Sequence, residues 1–286
     1  MKLAAFSKIG NQLPPEDLCA TLAQHGYHGV EWQVHPDGHI LPEELDAGAR
    51  RAAGAARQHG LESLCLAGYL HLGDQDAVAS IGKQLAASAA IECPNVRIWA
   101  PAFRGTVPYG RLFTQARADL ERVTHQAAAH GVRAIVEVHF GTIVPSASLT
   151  LRLLEGLDPK HVGVIYDPDN LTQEGLENWQ LGLELLEPYL AYVQFKNAVW
   201  APAEKVAGDG WQRWRREYVP LDQGLVDWPA FVKLLRQMQY DGYLSNEDTR
   251  PLPLAERLTT GRDTILRLWN TAPNGDSPNS ERQTRT

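Results

Sequence analysis

Residues 129–137 read AHGVRAIVE: a helix end, a glycine turn, then a β-branched run closing on a carboxylate. Similar phrases recur as QHGYHGVEW (24–32), QHGLESL (58–64) and MQYDGYLSNE (238–247). A helix that stops at glycine and feeds into a strand is the joint of a repeating βα unit. Around these joints, short apolar runs alternate with amphipathic ones. The pattern predicts strands at 2–6, 29–33, 62–67, 96–100, 133–139, 162–167, 192–196 and 242–247. It predicts helices over 14–26, 42–60, 111–131 and 227–242, the first opening on Pro and acids and closing on Gly.

Eight such units in series predict an α/β fold, and eight strands close a barrel, whereas an open doubly wound sheet usually has fewer. No GxGxxG follows the first strand, which counts against a dinucleotide fold. The expected architecture is a single (β/α)8 TIM barrel spanning residues 1–272. The polar tail PNGDSPNSERQTRT, 273–286, has no apolar anchor and is expected to be disordered. The longest non-helical excursion, about 198–226, follows the seventh strand, where barrel loops usually serve function.

Composition narrows the partners. The chain has 286 residues, 44% of them hydrophobic, enough for a large core. A formal charge of −7 disfavours nucleic acid and anionic membrane. WQRWRRE (211–217) is one short basic-aromatic cluster, readable as a solvated loop or helix face, or as a lid over substrate. No apolar run is long enough to span a bilayer, and MKLAAFSKIG is too short and polar for a signal peptide. Cys19, Cys65 and Cys93 are widely spaced, which fits reduced thiols and a cytoplasmic location. A homo-oligomer is compatible with all of this.

Barrel enzymes place their chemistry at the C-terminal ends of strands. Strand 5 ends in Glu137 and His139, strand 6 in Asp167 followed by Asp169 and Asn170, strand 7 in Gln194 and Lys196, strand 8 in Ser245 and Glu247. Strand 2 offers Glu31, Gln33 and His35, and strand 4 offers Arg97 and Trp99. Three carboxylates converging on one rim repel unless a cation intervenes, and a divalent metal suits such oxygen ligands. Gln194 would add a neutral carbonyl oxygen, and Lys196 would meet substrate or balance the carboxylates. Each residue also has a plainer reading. A strand-end carboxylate is commonly a helix cap or ion-pair partner, Asp167 before Pro168 could only start a turn, and Trp99 and Trp200 could be packing.

The strand-end set resembles the xylose-isomerase-like barrels of the sugar phosphate isomerase/epimerase family. AIVEVH looks like that family's strand-5 motif, GVIYDPDN like its strand-6 motif, and YVQFKN sits where the family usually has His and then Lys. VPLDQGLVDWPAFVKLLRQMQYDGYLSNED, running to the final Glu, matches a family stretch most closely. The resemblance implies Glu137, Asp167, Gln194 and Glu247 as ligands of a divalent metal: manganese first, with magnesium, zinc or cobalt as alternatives. It implies Glu137 and Glu247 as the residues that move protons, and in the lyases of the same barrel His139 or Lys196 could be base or acid. Glu31 and Trp99 at strand ends, Asn170 after strand 6 and Trp200 in the loop after strand 7 are the candidate substrate-binding residues. The implied activity is isomerisation or epimerisation of a small carbohydrate, by proton transfer alpha to a carbonyl through a metal-stabilised enediolate. Gln194 replaces the usual His, and Asn170 replaces a His that contacts substrate in ketose epimerases. The same barrel also hosts dehydratases and lyases on inososes or 3-oxo-glycosides, and Gln194 would permit a non-catalytic carbohydrate binder. Endonuclease IV, a further branch, is disfavoured by too few strand-end His and too little positive charge.

Overall fold

A computed structural model describes residues 1–204 and 210–272; the expected tail, 273–286, lies outside them. Eight parallel strands close the barrel: β1 (Lys2–Phe6), β2 (Gly29–Gln33), β3 (Glu62–His71), β4 (Asn95–Trp99), β5 (Arg133–Glu137), β6 (Val162–Tyr166), β7 (Leu190–Phe195) and, after the hairpin β8 (Ala198–Pro202) and β9 (Trp214–Tyr218), β10 (Tyr243–Asn246). β10 pairs with both β1 and β7, which completes the ring. The surrounding helices are α1 (Pro15–Gln24), α2 (Leu45–Gln58), α3 (Ala77–Ala90), α4 (Tyr109–His130), α5 (Ala147–Leu154), α6 (Pro168–Leu171), α7 (Trp179–Leu186), α8 (Trp228–Gln237) and α9 (Leu254–Thr271). Among the described residues, no helix is long and apolar enough to cross a membrane. Cys19, Cys65 and Cys93 are buried free thiols.

The repeated joints have a backbone cause. Gly26, Gly60 and Gly131 adopt φ of 74°, 69° and 65°, the left-handed conformation that costs glycine least. In the fourth phrase the left-handed residue is Gln239, with φ of 56°, and Gly242 is not left-handed. That joint resembles the others in sequence but turns three residues earlier.

Strand alternation sorts side chains into two cores. Val193 and Phe195 of β7 pack outward with residues such as Val136, Val164, Trp228 and Phe231, between sheet and helices. Tyr192 points inward with Phe6, Cys65, Ile135 and Ile165, filling the barrel. Both faces of β7 are therefore buried, as parallel barrel strands require. Gln194 and Lys196 follow Tyr192 on the inward face, toward the mouth.

Three expectations are corrected. β3 runs on to His71, past the predicted end at 67. β5, β7 and β10 stop at Glu137, Phe195 and Asn246, so His139, Lys196 and Glu247 sit just beyond the strands. The loop 198–226 contains an antiparallel hairpin, so WQRWRRE is neither loop nor helix face throughout. From Trp214 it alternates as a strand, with Trp214, Arg216 and Tyr218 on one side and Arg215 and Glu217 on the other.

Candidate active site

Asn197, the last residue of YVQFKN, fastens the long excursion to the barrel. Its Nδ2 donates to the carbonyls of Leu221 (2.7 Å) and Val226 (3.0 Å), and its Oδ1 accepts from the Val226 amide (3.0 Å). A Cβ on Gly224 would stand 2.0 Å from Asn197 Oδ1, so only glycine lets the chain pass. Trp228 Nε1 donates to the Lys196 carbonyl at 3.2 Å. The strand-7 motif and the Gly–Asp–Trp stretch thus lock together, and Lys196 is fixed from behind.

In front of this frame, Glu137, Asp167 and Glu247 each bring a carboxylate oxygen to within 4.8 Å of the others, as a shared cation requires. Lys196 Nζ contacts Asp167 Oδ2 and Glu247 Oε2, bridging two of the three. The turn reading of Asp167 also holds: its Oδ1 accepts from the amides of Asp169 (2.9 Å) and Asn170 (3.2 Å), capping α6 behind Pro168. One oxygen builds the loop while the other faces the cluster.

Glu137 is held on both oxygens. Asn170 Nδ2 donates to Oε1 at 3.0 Å, and Arg97 Nη1 donates to Oε2 at 2.9 Å. Asn170, expected against substrate, here orients Glu137. Arg97 was legible as a charged residue inside the apolar run VRIWA, but its role was not. It is 1% exposed and lies 3.8 Å from Glu31 Oε1 as well.

Glu31, also expected against substrate, is fully buried beneath the cluster. It accepts from Gln194 Nε2 on both oxygens (3.1 Å each) and from Ser245 Oγ (3.0 Å). Glu31, enclosed in this way, holds the Gln194 amide in place. Gln194 spends its amide nitrogen on Glu31, while its Oε1 is buried with no protein partner.

A further buried ion pair was not expected from the sequence. Asp169, fully buried, ion-pairs with Arg216 of β9, which also donates to the Asp169 carbonyl (3.0 Å) and to Thr172 Oγ1 (2.9 Å). At the mouth, five carboxylates (Glu31, Glu137, Asp167, Asp169, Glu247) meet three cations (Arg97, Lys196, Arg216), a formal excess of two negative charges.

Burial pushes the carboxyl groups of Glu31 and Asp167 up to about 7, against the opposing pull of Arg97 and Lys196 respectively. For Glu247, burial works the other way from the net result: Lys196 wins and holds it below the usual carboxylate range. Burial also lowers His139, so its ring is neutral near pH 7. The raised pair has a consequence for stability. From about pH 4 to 7 the folded protein keeps protons that the unfolded chain has released. Stability arising from these groups therefore falls as pH rises through that window and levels off above it. In urea denaturation of the chelator-treated protein, Glu31→Gln should flatten this slope. An unchanged slope in the variant would show that Glu31 does not carry it.

One aromatic wall lines the β3–β5 side. Trp99 lies 4.5 Å from the His139 ring, 5.6 Å from His71 and 5.8 Å from Tyr69, with Arg97 stacked 4.8 Å over Tyr69. His139 Nδ1 is engaged by the Phe140 carbonyl at 2.7 Å. Trp200 stands apart on β8, 42% exposed, with Arg216 5.8 Å over its ring.

The family model for the xylose isomerase-like TIM barrel matches residues 19–267. The chain belongs to this family. Among curated proteins, none matches it significantly in sequence. Solved xylose-isomerase-like barrels match its fold at low identity. An IOLI protein crystallised with a zinc atom has a TM-score of 0.76 at 16% identity, over 96% of this chain and 99% of its own. The 3-keto-D-glucoside 4-epimerase of E. coli has a TM-score of 0.72 at 17% identity, over 93% and 99%. A probable 3-DHS dehydratase from Bacillus anthracis has a TM-score of 0.70 at 16% identity, over 93% and 99%.

Proposed function

We propose that this barrel is a divalent-metal enzyme that moves a proton at a carbon beside a carbonyl in a small carbohydrate, as an isomerase or epimerase. The observation that carries this is the carboxylate cluster itself: three converging oxygens and a formal excess of two negative charges. Next to it, the unpartnered Gln194 Oε1 is a neutral oxygen of the kind a divalent ion takes. Glu137, Asp167, Gln194 and Glu247 would hold the ion, manganese being the first choice for a mixed carboxylate–amide set. When bound, such an ion supplies positive charge to the oxygens of a carbonyl and its neighbouring hydroxyl.

The protein's own groups do the rest. Glu247 accepts a proton through the oxygen that Lys196 does not hold. Lys196 can donate to a substrate oxygen, and His139, neutral with its Nδ1–H on the Phe140 carbonyl, offers Nε2 as an acceptor for a substrate hydroxyl. Trp99 offers a flat face to a sugar ring. Arg97 and Asn170 fix Glu137, and Glu31 fixes Gln194.

One observation favours a second reading, a dehydratase or lyase. Both Glu137 oxygens are engaged by protein donors, leaving Glu247 as the freer base. One base with a neighbouring acid suits elimination, whereas two-faced epimerisation needs both glutamates. Incubation with manganese and a panel of ketoses and inososes in deuterium oxide separates the two. Deuterium in an isomer of conserved formula supports the first reading, and loss of water the second. No deuterium uptake and no product across the panel would remove both.

Gln194→His tests the ligand set. Imidazole can donate to Glu31 through one nitrogen and present the other to the ion, the carboxylate–histidine arrangement of many metal sites. The variant should retain manganese on dialysis against a chelator with affinity higher by on the order of tenfold. Equal or faster loss would place Gln194 outside the ligand set.

A further inference from the structure

The hairpin β8–β9 has two unlike faces. Register pairs Ala198 with Tyr218, Trp200 with Arg216 and Pro202 with Trp214, so Trp200, Trp214, Arg216 and Tyr218 share one side. Arg216 shows where that side looks, because it reaches Asp169 and Thr172 beside the carboxylate cluster. The three aromatic residues on this inward face nevertheless stay open, Trp200 at 42%, Trp214 at 58% and Tyr218 at 43% exposure.

The hairpin is also fixed. Swinging it away would strip the fully buried Asp169 carboxylate of Arg216, its ion-pair partner, and an uncompensated buried charge is strongly destabilising. The aromatic face is therefore a standing wall. It rises over the segment after β6, where Arg216 meets Asp169 and Thr172 beside the carboxylate cluster.

We infer that the hairpin face is a preformed subsite for a second ring of the substrate, so that the molecule turned over carries a ring beyond the one that reacts. This rests on the carbohydrate reading above and narrows it to glycosides. Trp99 offers a face to the reacting ring, and the exposed indoles on the Arg216 side of the hairpin match the apolar face of another. The ring is uncharged, because Arg216 is spent on Asp169 and Arg215 points to the opposite side. A sugar ring and an aryl ring share this stacking chemistry.

Calorimetric titration of the full-length, manganese-treated protein with D-glucose, cellobiose and phenyl β-D-glucopyranoside tests the inference. The two-ring ligands should bind at least ~10-fold tighter than glucose, about 1.4 kcal/mol. Trp200→Ala and Trp214→Ala should each bring the two-ring ligands down to the affinity of glucose. Trp200→Phe, which keeps a ring, should preserve part of it. A preference for cellobiose identifies a sugar subsite, and for the phenyl glucoside an aryl subsite. Glucose binding without a two-ring advantage, or an advantage that survives both alanine variants, overturns the second-ring subsite and leaves the carbohydrate reading in place. Absence of binding by all three ligands overturns the second-ring subsite, and the carbohydrate reading then stands or falls on the deuterium experiment above.

Discussion

Glu247→Gln should lower kcat by ~10²–10⁴-fold while the protein keeps its metal, the loss expected when a positioned base is removed and its shape retained. Glu247 is suited to the task on three counts. Its side chain is 12% exposed, so substrate can reach it. Lys196 keeps it ionised despite burial, so it is ready to accept a proton near neutral pH. Its neighbour Glu137 is tied to Arg97 and Asn170 and is the weaker candidate. The check is paired: turnover by steady-state kinetics, and manganese content by atomic absorption after gel filtration. Loss of both together would make Glu247 a ligand first. Near-normal turnover, with no solvent deuterium entering the product alpha to the carbonyl, would remove proton transfer from the mechanism.

Arg97→Met should destabilise the protein by ~3–5 kcal/mol, the cost of breaking a buried ion pair from one side. The guanidinium is enclosed by Phe6, Tyr69 and Trp99 and neutralises Glu137 at 2.9 Å, with Glu31 at 3.8 Å. Methionine fills much of the same space, so the loss reports charge more than volume. Urea denaturation measures it directly. Adding Glu31→Gln to Arg97→Met should recover part of the loss, because one of the stranded carboxylates then becomes neutral. If the single variant costs under about 1 kcal/mol, in the range of a surface pair, Arg97 is not the charge that holds the barrel mouth together.

The barrel was legible because its signals are local: a left-handed glycine after each of three helices, and short apolar strands at repeating intervals. The fourth joint shows the limit, since MQYDG carries the glycine while Gln239 makes the turn. The hairpin was legible in principle, as Trp214, Arg216 and Tyr218 alternate, but the density of arginine hid a strand behind a charged run.

The site divides in the same way. Strand order places Glu137, Asp167 and Glu247 on one rim once a closed barrel is granted, so their convergence follows from sequence and topology together. What Glu31, Arg97, Asn170 and Arg216 do could not be read. Their roles rest on contacts between residues far apart in the chain: Gln194 to Glu31 across the barrel, Arg97 to Glu137 one strand over, and Arg216 from the hairpin to Asp169. Sequence by itself determined which strand ends carry charge, because hydrophobic periodicity fixes the face each residue takes. Which charges neutralise one another depends on distance and burial in the folded barrel, and neither is encoded in any single stretch of chain.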